Sequence, residues 1–313
     1  LGAASTPALT VAIAICTRER PEDLVRAVAS ALRNAEASEI VVVDQSRSDE
    51  SRRALERQGA FGDLRFHFVH TPGAVGLSRS RNVALAHCTS SVIAFTDDDC
   101  VLPSDWVTEI HRQFSADPSL GILFAPVLVP PELADAGFTP SYEPSTCGRV
   151  VLEGDPVNVF GLGANMSIRR SAFERVGPFD EELGAGAPLF KAGEDTDYGF
   201  RAINLRIGVS TAPSPTVLHY GVRADADSRA LRRNYVLGMT GYLGKHARLS
   251  NRVARKYLQQ RFATLFSEMV KHTVTRGRPS GLNDLRWLVE GIIASRRHYD
   301  VDRDRQLYVP RAD

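Results

Sequence analysis

The sequence predicts an α/β protein: an open, mostly parallel β-sheet flanked by helices, with a helical extension at the C-terminal end. Three observations predict it. Apolar runs rich in β-branched residues alternate with segments of helical period through the first hundred residues, the pattern of strand-helix-strand units. The chain has 313 residues, 43% of them hydrophobic and 24% charged, which is enough to bury a substantial core and too apolar for a disordered chain. Charge is also divided. Residues 1–228 hold 20 Lys and Arg against 30 Asp and Glu, whereas residues 229–313 hold 18 against 7, so −10 and +11 make up the net +1. The division separates a body over 1–228 from a basic extension over 229–313.

Each element follows from local pattern. "VAIAIC" at 11–16 reads as a buried strand; the segment "TRERPEDLVRAVASALRN" after it has Pro21, suited to a first helical turn, and Leu24, Val25, Val28 and Leu32 at helical spacing. "EIVVVD" at 39–44 is a second buried strand, and the polar "QSRSDESRRALERQ" leads into a second helix. "LRFHFVH" alternates as a third strand, "GLSRSRNVALAH" is a third helix, and "SVIAFT" a fourth strand. "GILFAPVLVP" is a strand, and residues 130–148 have the Pro, Gly and Ser content of a long loop. "FGLGANMSIRRSAFERVGPFDEEL" reads as a strand turning into a short helix. "GEDTDYGFRAINL" starts a helix with acids in its first turn, where the helix dipole favours them, and "IGVSTAPSPTVLHY" gives one or two strands ending at His219. From residue 229 the pattern is helical. In "NRVARKYLQQRFATLFSEMVKH", Val253, Tyr257, Leu265, Phe266, Met269 and Val270 are expected on one face, with Arg252, Arg255, Lys256 and Gln259 largely opposite.

Several classes are disfavoured. Cys16, Cys88, Cys100 and Cys147 are scattered without a CxxC pair, so neither a disulfide framework nor a zinc cluster is indicated and a reducing cytoplasm is expected. No window reaches the roughly 18 to 20 apolar residues of a membrane span, and the opening "LGAASTPALT" lacks the basic start of a signal peptide. No nucleic-acid partner is expected.

In sheets of this kind ligands bind beyond the carboxyl ends of the strands. Thr17 and Arg18, Asp44, and Asp97 to Asp99 all stand at that end, and "FTDDDC" raises a physical question there. Three successive carboxylates repel one another, and a hard divalent cation, Mn²⁺ or Mg²⁺, with its preference for oxygen ligands, would offset that repulsion. If the strand stays extended, Asp97 and Asp99 share one side and Asp98 faces the other. Plainer readings stand beside these: a solvated acidic turn for the aspartates, a capped loop for Thr17 and Arg18, a helix start for Glu194 and Asp195, and a core histidine for His219.

"CTRERP", "VVVDQSRSD", "GLSRSRN", "FTDDDC" and "GEDTDYGFRAINLRIG", in this order across residues 11 to about 220, resemble the inverting family 2 glycosyltransferases of the GT-A fold. The resemblance implies a nucleotide-binding half over about 11–105 and an acceptor half over about 106–228. It implies a nucleotide diphosphate sugar as donor, a UDP-sugar first among them, and a hydroxyl acceptor that is a glycan, a lipid-linked molecule or a natural product. Thr17, Arg18, Asp44 and Arg81 would border the nucleotide, with Asp97 and Asp98 on the donor side. Asp99 would be the principal metal ligand, joined by Asp97 and His219. Gly163, Ala164 and Asn165 match the segment facing sugar and acceptor, Asp195 the general base, and Glu194 a residue positioning the acceptor. Gln45 stands where relatives carry an acid, and their usual glycine is missing. A sugar-phosphate nucleotidyltransferase would carry a Gly-rich loop and a lysine after the first strand, which "CTRERPED" lacks; a non-catalytic nucleotide-sugar-binding protein would lack the acid pair, which "GED" keeps.

The extension has three candidate partners. Its basic charge and apolar face fit peripheral contact with an anionic membrane, the acidic body of the same chain, or a second copy in a homodimer.

Overall fold

The computed structural model describes residues 8–150, 160–223, 228–276 and 281–311; the opening segment at 1–7 lies outside the described residues. The first half runs β1 (Val11–Thr17), α1 (Pro21–Leu32), β2 (Glu39–Asp44), α2 (Glu50–Gln58), β3 (Phe66–His70), α3 (Leu77–His87), β4 (Val92–Asp97), β5 (Cys100–Val101) and α4 (Trp106–Ala116). It continues through β6 (Leu120–Phe124), β7 (Val127–Leu128), β8 (Gly148–Arg149), β9 (Met166–Arg169), α5 (Arg170–Val176), α6 (Glu194–Asn204), β10 (Gly208–Thr211) and β11 (Val217–His219). The C-terminal region is α7 (Ser228–Arg248), α8 (Arg252–Arg276), α9 (Leu282–Arg297) and a hairpin of β12 (Tyr299–Asp302) with β13 (Leu307–Pro310).

The main sheet has eight strands in the order β3-β2-β1-β4-β9-β6-β10-β8. Its first four are parallel, β9 is antiparallel to both neighbours, and β10 is parallel to β6. Strand alternation divides the core in two. Val11, Ile13, Ile15, Ile40 and Val42 face one layer with Leu24, Val28 and Trp106 from α1 and α4; Ala12, Ala14, Val41, Val43 and Phe95 face the other with α3, α5, α6 and α7. Each branched or aromatic side chain so buried contributes about 1.5–3 kcal/mol.

Parallel register brings distant residues to one edge: Thr17 lies opposite Asp44, and Cys16 opposite Asp97. A smaller sheet, β5-β11-β7, returns His219 beside Cys100, immediately after Asp99. These pairings position the site.

Three expectations need correction. "GILFAPVLVP" is two short strands, β6 and β7, in different sheets. The extension is not helical throughout, since residues 299–310 form the β12-β13 hairpin, where Tyr299 and Tyr308 pack with Phe190 of the body. The apolar residues of α8 also do not share one buried face. Tyr257 and Leu265 turn inward, whereas Phe266 and Val270 are exposed along with Phe262 and Val274, at intervals of four residues. Spacing marked these residues as apolar but could not say which stripe would meet α7 and α9.

The buried cluster that lines one sheet face runs on into the extension through Leu237, Tyr242, Leu243, Ala254 and Tyr257. A polar connection lies within it. Lys245 Nζ is 2.6 Å from Asp180 Oδ2 and 2.8 Å from Asp197 Oδ1, while His246 and Arg201 also contact Asp197 at 2.9 and 3.0 Å. Body and tail charges thus meet at Lys245. The other tail ion pairs among the described residues stay within the tail, joining Arg232 to Asp284, Arg233 to Glu290, and Arg248 and Arg311 to Asp300.

Candidate active site

A cavity of about 760 Å³ opens at the carboxyl end of the main sheet, between the β1-α1 loop, the aspartate turn, the start of α6 and the inner sides of α7 and α8. The strand ends at Asp97, so Asp98 and Asp99 sit in a tight turn rather than alternating as extended residues. All three line the cavity.

Each carboxylate has a different environment. Thr17 Oγ1 donates to Asp98 Oδ2 at 2.7 Å, and Arg20 Nη1 donates to Asp98 Oδ1 at 3.2 Å and to Asp99 Oδ2 at 2.9 Å. Burial pushes the Asp98 carboxyl up to about 7, against the pull of the Thr17 hydrogen bond, with Asp99 adding to the rise. Burial would also raise Asp99, but its contacts with His219 and Arg20 hold it below the usual carboxylate range. Asp97 faces Arg81, whose Nη2 lies 3.5 Å away.

His219 Nδ1 is 2.7 Å from the Pro140 carbonyl, an acceptor, so a neutral ring keeps its proton there and turns the bare Nε2 toward Asp99 Oδ1 at 3.0 Å. Two acceptors at that distance require a second ring proton or a cation between them. Space is reserved beside them, because a Cβ on Gly221 would lie 2.2 Å from Asp99 Oδ2 and 2.9 Å from His219 Nε2. Cys100 is also close, but burial holds its thiol well above its ordinary range and so uncharged. The remaining oxygen and imidazole donors fit Mn²⁺ or Mg²⁺ better than a thiophilic ion.

Arg81 links the aspartates to α6. Its guanidinium is buried, donates to Glu194 Oε1 at 2.9 Å, and lies over the rings of Phe95 and Phe179. Gly163 permits this packing, since a Cβ there would lie 2.3 Å from Arg81 Nη2. Glu194 is buried, which with the adjoining Asp195 charge raises its carboxyl to about 7 despite Arg81. Asp195 is partly exposed to the cavity; its Oδ2 accepts from the Gly163 N–H at 2.8 Å and its Oδ1 from the Thr196 N–H at 2.6 Å. A carboxylate so oriented can take a proton from a hydroxyl in the cavity.

Thr17, Arg18, Arg81, Asp97, Asp98, Asp99, Glu194, Asp195, His219, Gly163 and Ala164 all line this space. Two predicted residues do not. Asp44 is fully buried, with Oδ1 accepting from the Ser46 N–H at 2.8 Å and Oδ2 left without a hydrogen-bond partner. Asn165 is committed to structure: its Oδ1 accepts from Trp106 Nε1 at 3.1 Å, and its amide nitrogen donates to the carbonyls of Pro126 and Pro215, each at 2.8 Å. Assignment of Asn165 to the donor is therefore corrected, because a buried amide with these three bonds has little left to offer a ligand.

The sequence did not single out Arg20, yet it braces two aspartates. Glu19, in the left-handed region at φ 56°, turns the chain there while its N–H donates to Ser46 Oγ at 2.7 Å. Gln45, noted as a departure, bonds both ways with Gly76, at 3.0 and 3.1 Å, and so fixes the approach to α3. Lys191, Arg223, Tyr235 and Arg261 also reach the cavity, from segments whose local pattern carried no such signal.

The sequence model of glycosyl transferase family 2 matches residues 12–177. The chain is 28% identical over 199 residues to the pre-mycofactocin glycosyltransferase of Mycobacterium tuberculosis, covering 62% of this chain and 38% of that one. It is 26% identical over 188 residues to the glucosyl-dolichyl phosphate glucuronosyltransferase of Haloferax volcanii, covering 56% and 58%. It thus spans less than two thirds of these relatives. The fold is similar to that of the Pyrobaculum calidifontis mannosyltransferase PcManGT in complex with GDP-Man and Mn²⁺, with TM-score 0.60, 16% identity, and coverage of 91% of this chain and 86% of that one. It is similar too to S. aureus TarS 1-349 in complex with UDP-GlcNAc, with TM-score 0.62, 15% identity, and coverage of 92% and 81%. These neighbours share the GT-A architecture of a mostly parallel central sheet flanked by helices. Since the family match covers just over half of the chain, on the strands and turns that build the aspartate end of the cavity, this protein belongs to glycosyl transferase family 2.

Proposed function

We propose that this chain is a metal-dependent inverting glycosyltransferase that moves a sugar from a nucleotide diphosphate, a UDP-sugar by preference, to a hydroxyl acceptor. The observation that carries it is the approach of His219 Nε2 to Asp99 Oδ1 at 3.0 Å, beside the space that Gly221 leaves open, in the cavity that Asp195 also lines. Residues 11–105 serve the nucleotide, and 106–228 with the inner side of the extension serve the acceptor. Asp99 and His219, with Asp97 nearby, would hold Mn²⁺ or Mg²⁺, and the ion would supply Lewis acidity for the departing diphosphate.

The chain's own groups do the rest. Thr17 and Arg20 fix the aspartate turn, and Arg18 stands exposed at the cavity edge to meet the nucleotide. Asp44, enclosed at the end of β2 and outside the cavity lining, orders the following loop through the Ser46 N–H. Arg81 holds Glu194 in place, and Asp195 accepts the proton of the attacking hydroxyl as the new bond forms on the face opposite the leaving group. The Gly163 and Thr196 N–H groups keep Asp195 oriented.

The extension also presents Phe262, Phe266, Val270 and Val274 to solvent, on a helix that carries exposed Arg252, Arg255, Lys256 and Lys271. This combination suits an anionic membrane surface at the inner face of the cell, with a second copy of the chain as the competing occupant. No described helix is long and apolar enough to cross a membrane.

The test is thermal stability with nucleotide sugars, with and without Mn²⁺, followed by sugar transfer to a hydroxyl acceptor. Mn²⁺-dependent stabilisation by an intact nucleotide sugar is expected, because a ligand that binds only the folded state raises stability by mass action. Equal melting under all conditions would count against the donor assignment. Release of nucleoside triphosphate from nucleotide sugar and pyrophosphate would indicate a nucleotidyltransferase instead.

A further inference from the structure

Cations in the cavity fall into two groups. Arg20 and Arg81, at the aspartates, are ion-paired. Arg18, at the nucleotide edge, and Lys191, Arg223 and Arg261, away from it, also line the cavity, yet they have no ion pair among the described residues. Arg261 carries the sharper signal: its Nε is shut off from solvent and has no hydrogen-bond partner there. Arg261 is half-buried, and an enclosed Nε–H without an acceptor costs free energy, which points to a group that arrives with the ligand.

The surroundings place this group on the acceptor side. Helix α7 approaches the segment before α6 through glycines: a Cβ on Gly238 would lie 2.4 Å from the Ala192 carbonyl oxygen, and one on Gly241 would lie 2.6 Å from the Phe190 ring. This seats Tyr235 in the cavity wall, within electrostatic reach of Arg223 on one side and of Asp195 and Glu194 on the other. Phe138, whose backbone pairs with Arg223, packs edge-on against Tyr235 at 6.4 Å and so brings the 130–148 loop to the same wall.

We propose that Arg261, Arg223 and Lys191, which share this cavity with Tyr235 and Asp195, form an anion subsite, and that the attacked hydroxyl belongs to an acceptor carrying phosphate or carboxylate. This rests on the transferase assignment, since only there is Asp195 beside an acceptor. The oxyanion lies with these cations while the hydroxyl lies at Asp195. Guanidinium groups suit such oxyanions because their donors match two oxygens at once.

The test uses the full chain with Mn²⁺ and a saturating nucleoside diphosphate. Binding of myo-inositol 1-phosphate is compared with that of myo-inositol, and vesicles of phosphatidylinositol with vesicles of a neutral glycosyl diacylglycerol, the lipid arm being read as the difference between the full chain and its Arg261→Gln variant. We expect the phosphorylated polyol, free or as a lipid headgroup, to bind about tenfold tighter than its control, the scale of one charge-assisted hydrogen bond. Arg261→Gln and Arg223→Gln should each remove most of that preference, with unchanged melting temperature and, for Arg261→Gln, unchanged nucleotide affinity. Preference for the soluble ester assigns a free acceptor, and preference confined to phosphatidylinositol vesicles assigns a lipid headgroup; either supports the subsite. No preference in either comparison overturns it, as does an Arg261→Gln variant that loses nucleotide instead. If the wild type binds no nucleotide with Mn²⁺, the donor assignment fails first and the acceptor role of the subsite falls with it.

Discussion

Three adjacent aspartates of one type occupy three environments, and substitution should separate them. Asp99 faces both His219 and Arg20, whereas Asp98 is engaged by Thr17 and Arg20. Asp99→Asn is expected to weaken Mn²⁺-dependent nucleotide binding by about 10- to 100-fold, and Asp98→Asn by less. Calorimetric titration of both variants checks the order; equal affinities for wild type and Asp99→Asn would remove Asp99 as principal ligand. At the other acid pair, Asp195→Asn should leave nucleotide affinity nearly intact and lower turnover by about 10²- to 10⁴-fold. A variant with normal turnover would pass the base role to Glu194. The pairing of Arg81 with Glu194, residues 113 positions apart, is invisible to local pattern. So is the capture of Asn165 by Trp106 and two proline carbonyls, which is why its motif match misled.

Among the elements, α7 is the least legible from sequence and the most consequential for packing. Its Lys245 is fully buried between Asp180, in the segment before α6, and Asp197, on α6 itself. Lys245→Met should destabilise the fold by about 3–5 kcal/mol, because Asp180 and Asp197 keep their burial and lose a shared cation. Urea denaturation measures this, and a loss below about 1 kcal/mol would mean the carboxylates find other partners. Asp197 adds a pH dependence. Burial would raise its carboxyl, but Lys245, Arg201 and His246 together hold it well below the usual range. A folded-state value below the unfolded one of about 3.9 gives stability that is complete above that pH and is lost as pH falls beneath it. Asp197→Asn should therefore lower stability at about pH 6 and flatten its decline toward about pH 3; an unchanged slope in acid would show that other groups dominate. By contrast, β1, β2 and β4 were legible as buried strands because nearly every residue in them is apolar and enclosed.

For the whole molecule, the exposed stripe of α8 and the tail charge of +11 predict association with anionic vesicles that weakens with salt, since exposed charges are screened. Replacing both Phe262 and Phe266 by Ser should reduce sedimentation with such vesicles about tenfold or more, given about 1.5–3 kcal/mol for each phenyl group removed from water. Point substitutions are needed because a chain ending near residue 228 would open the core that α7 completes. If the wild type ignores vesicles but is a dimer that the double variant converts to monomer, the stripe is a subunit interface. By itself the sequence determined the strand-helix order of the first hundred residues, the gathering of Thr17 and Asp97–Asp99 at one sheet edge, and the charge division between body and tail, because each depends on local period, parallel register or composition. Only the tertiary structure decided that the aspartates turn apart, that Arg81 joins them to Glu194, that α7 shares the core of the body, and that Arg261 reaches the cavity. Those outcomes depend on contacts between residues up to about a hundred positions apart or more, where packing and desolvation, rather than spacing along the chain, select the partner.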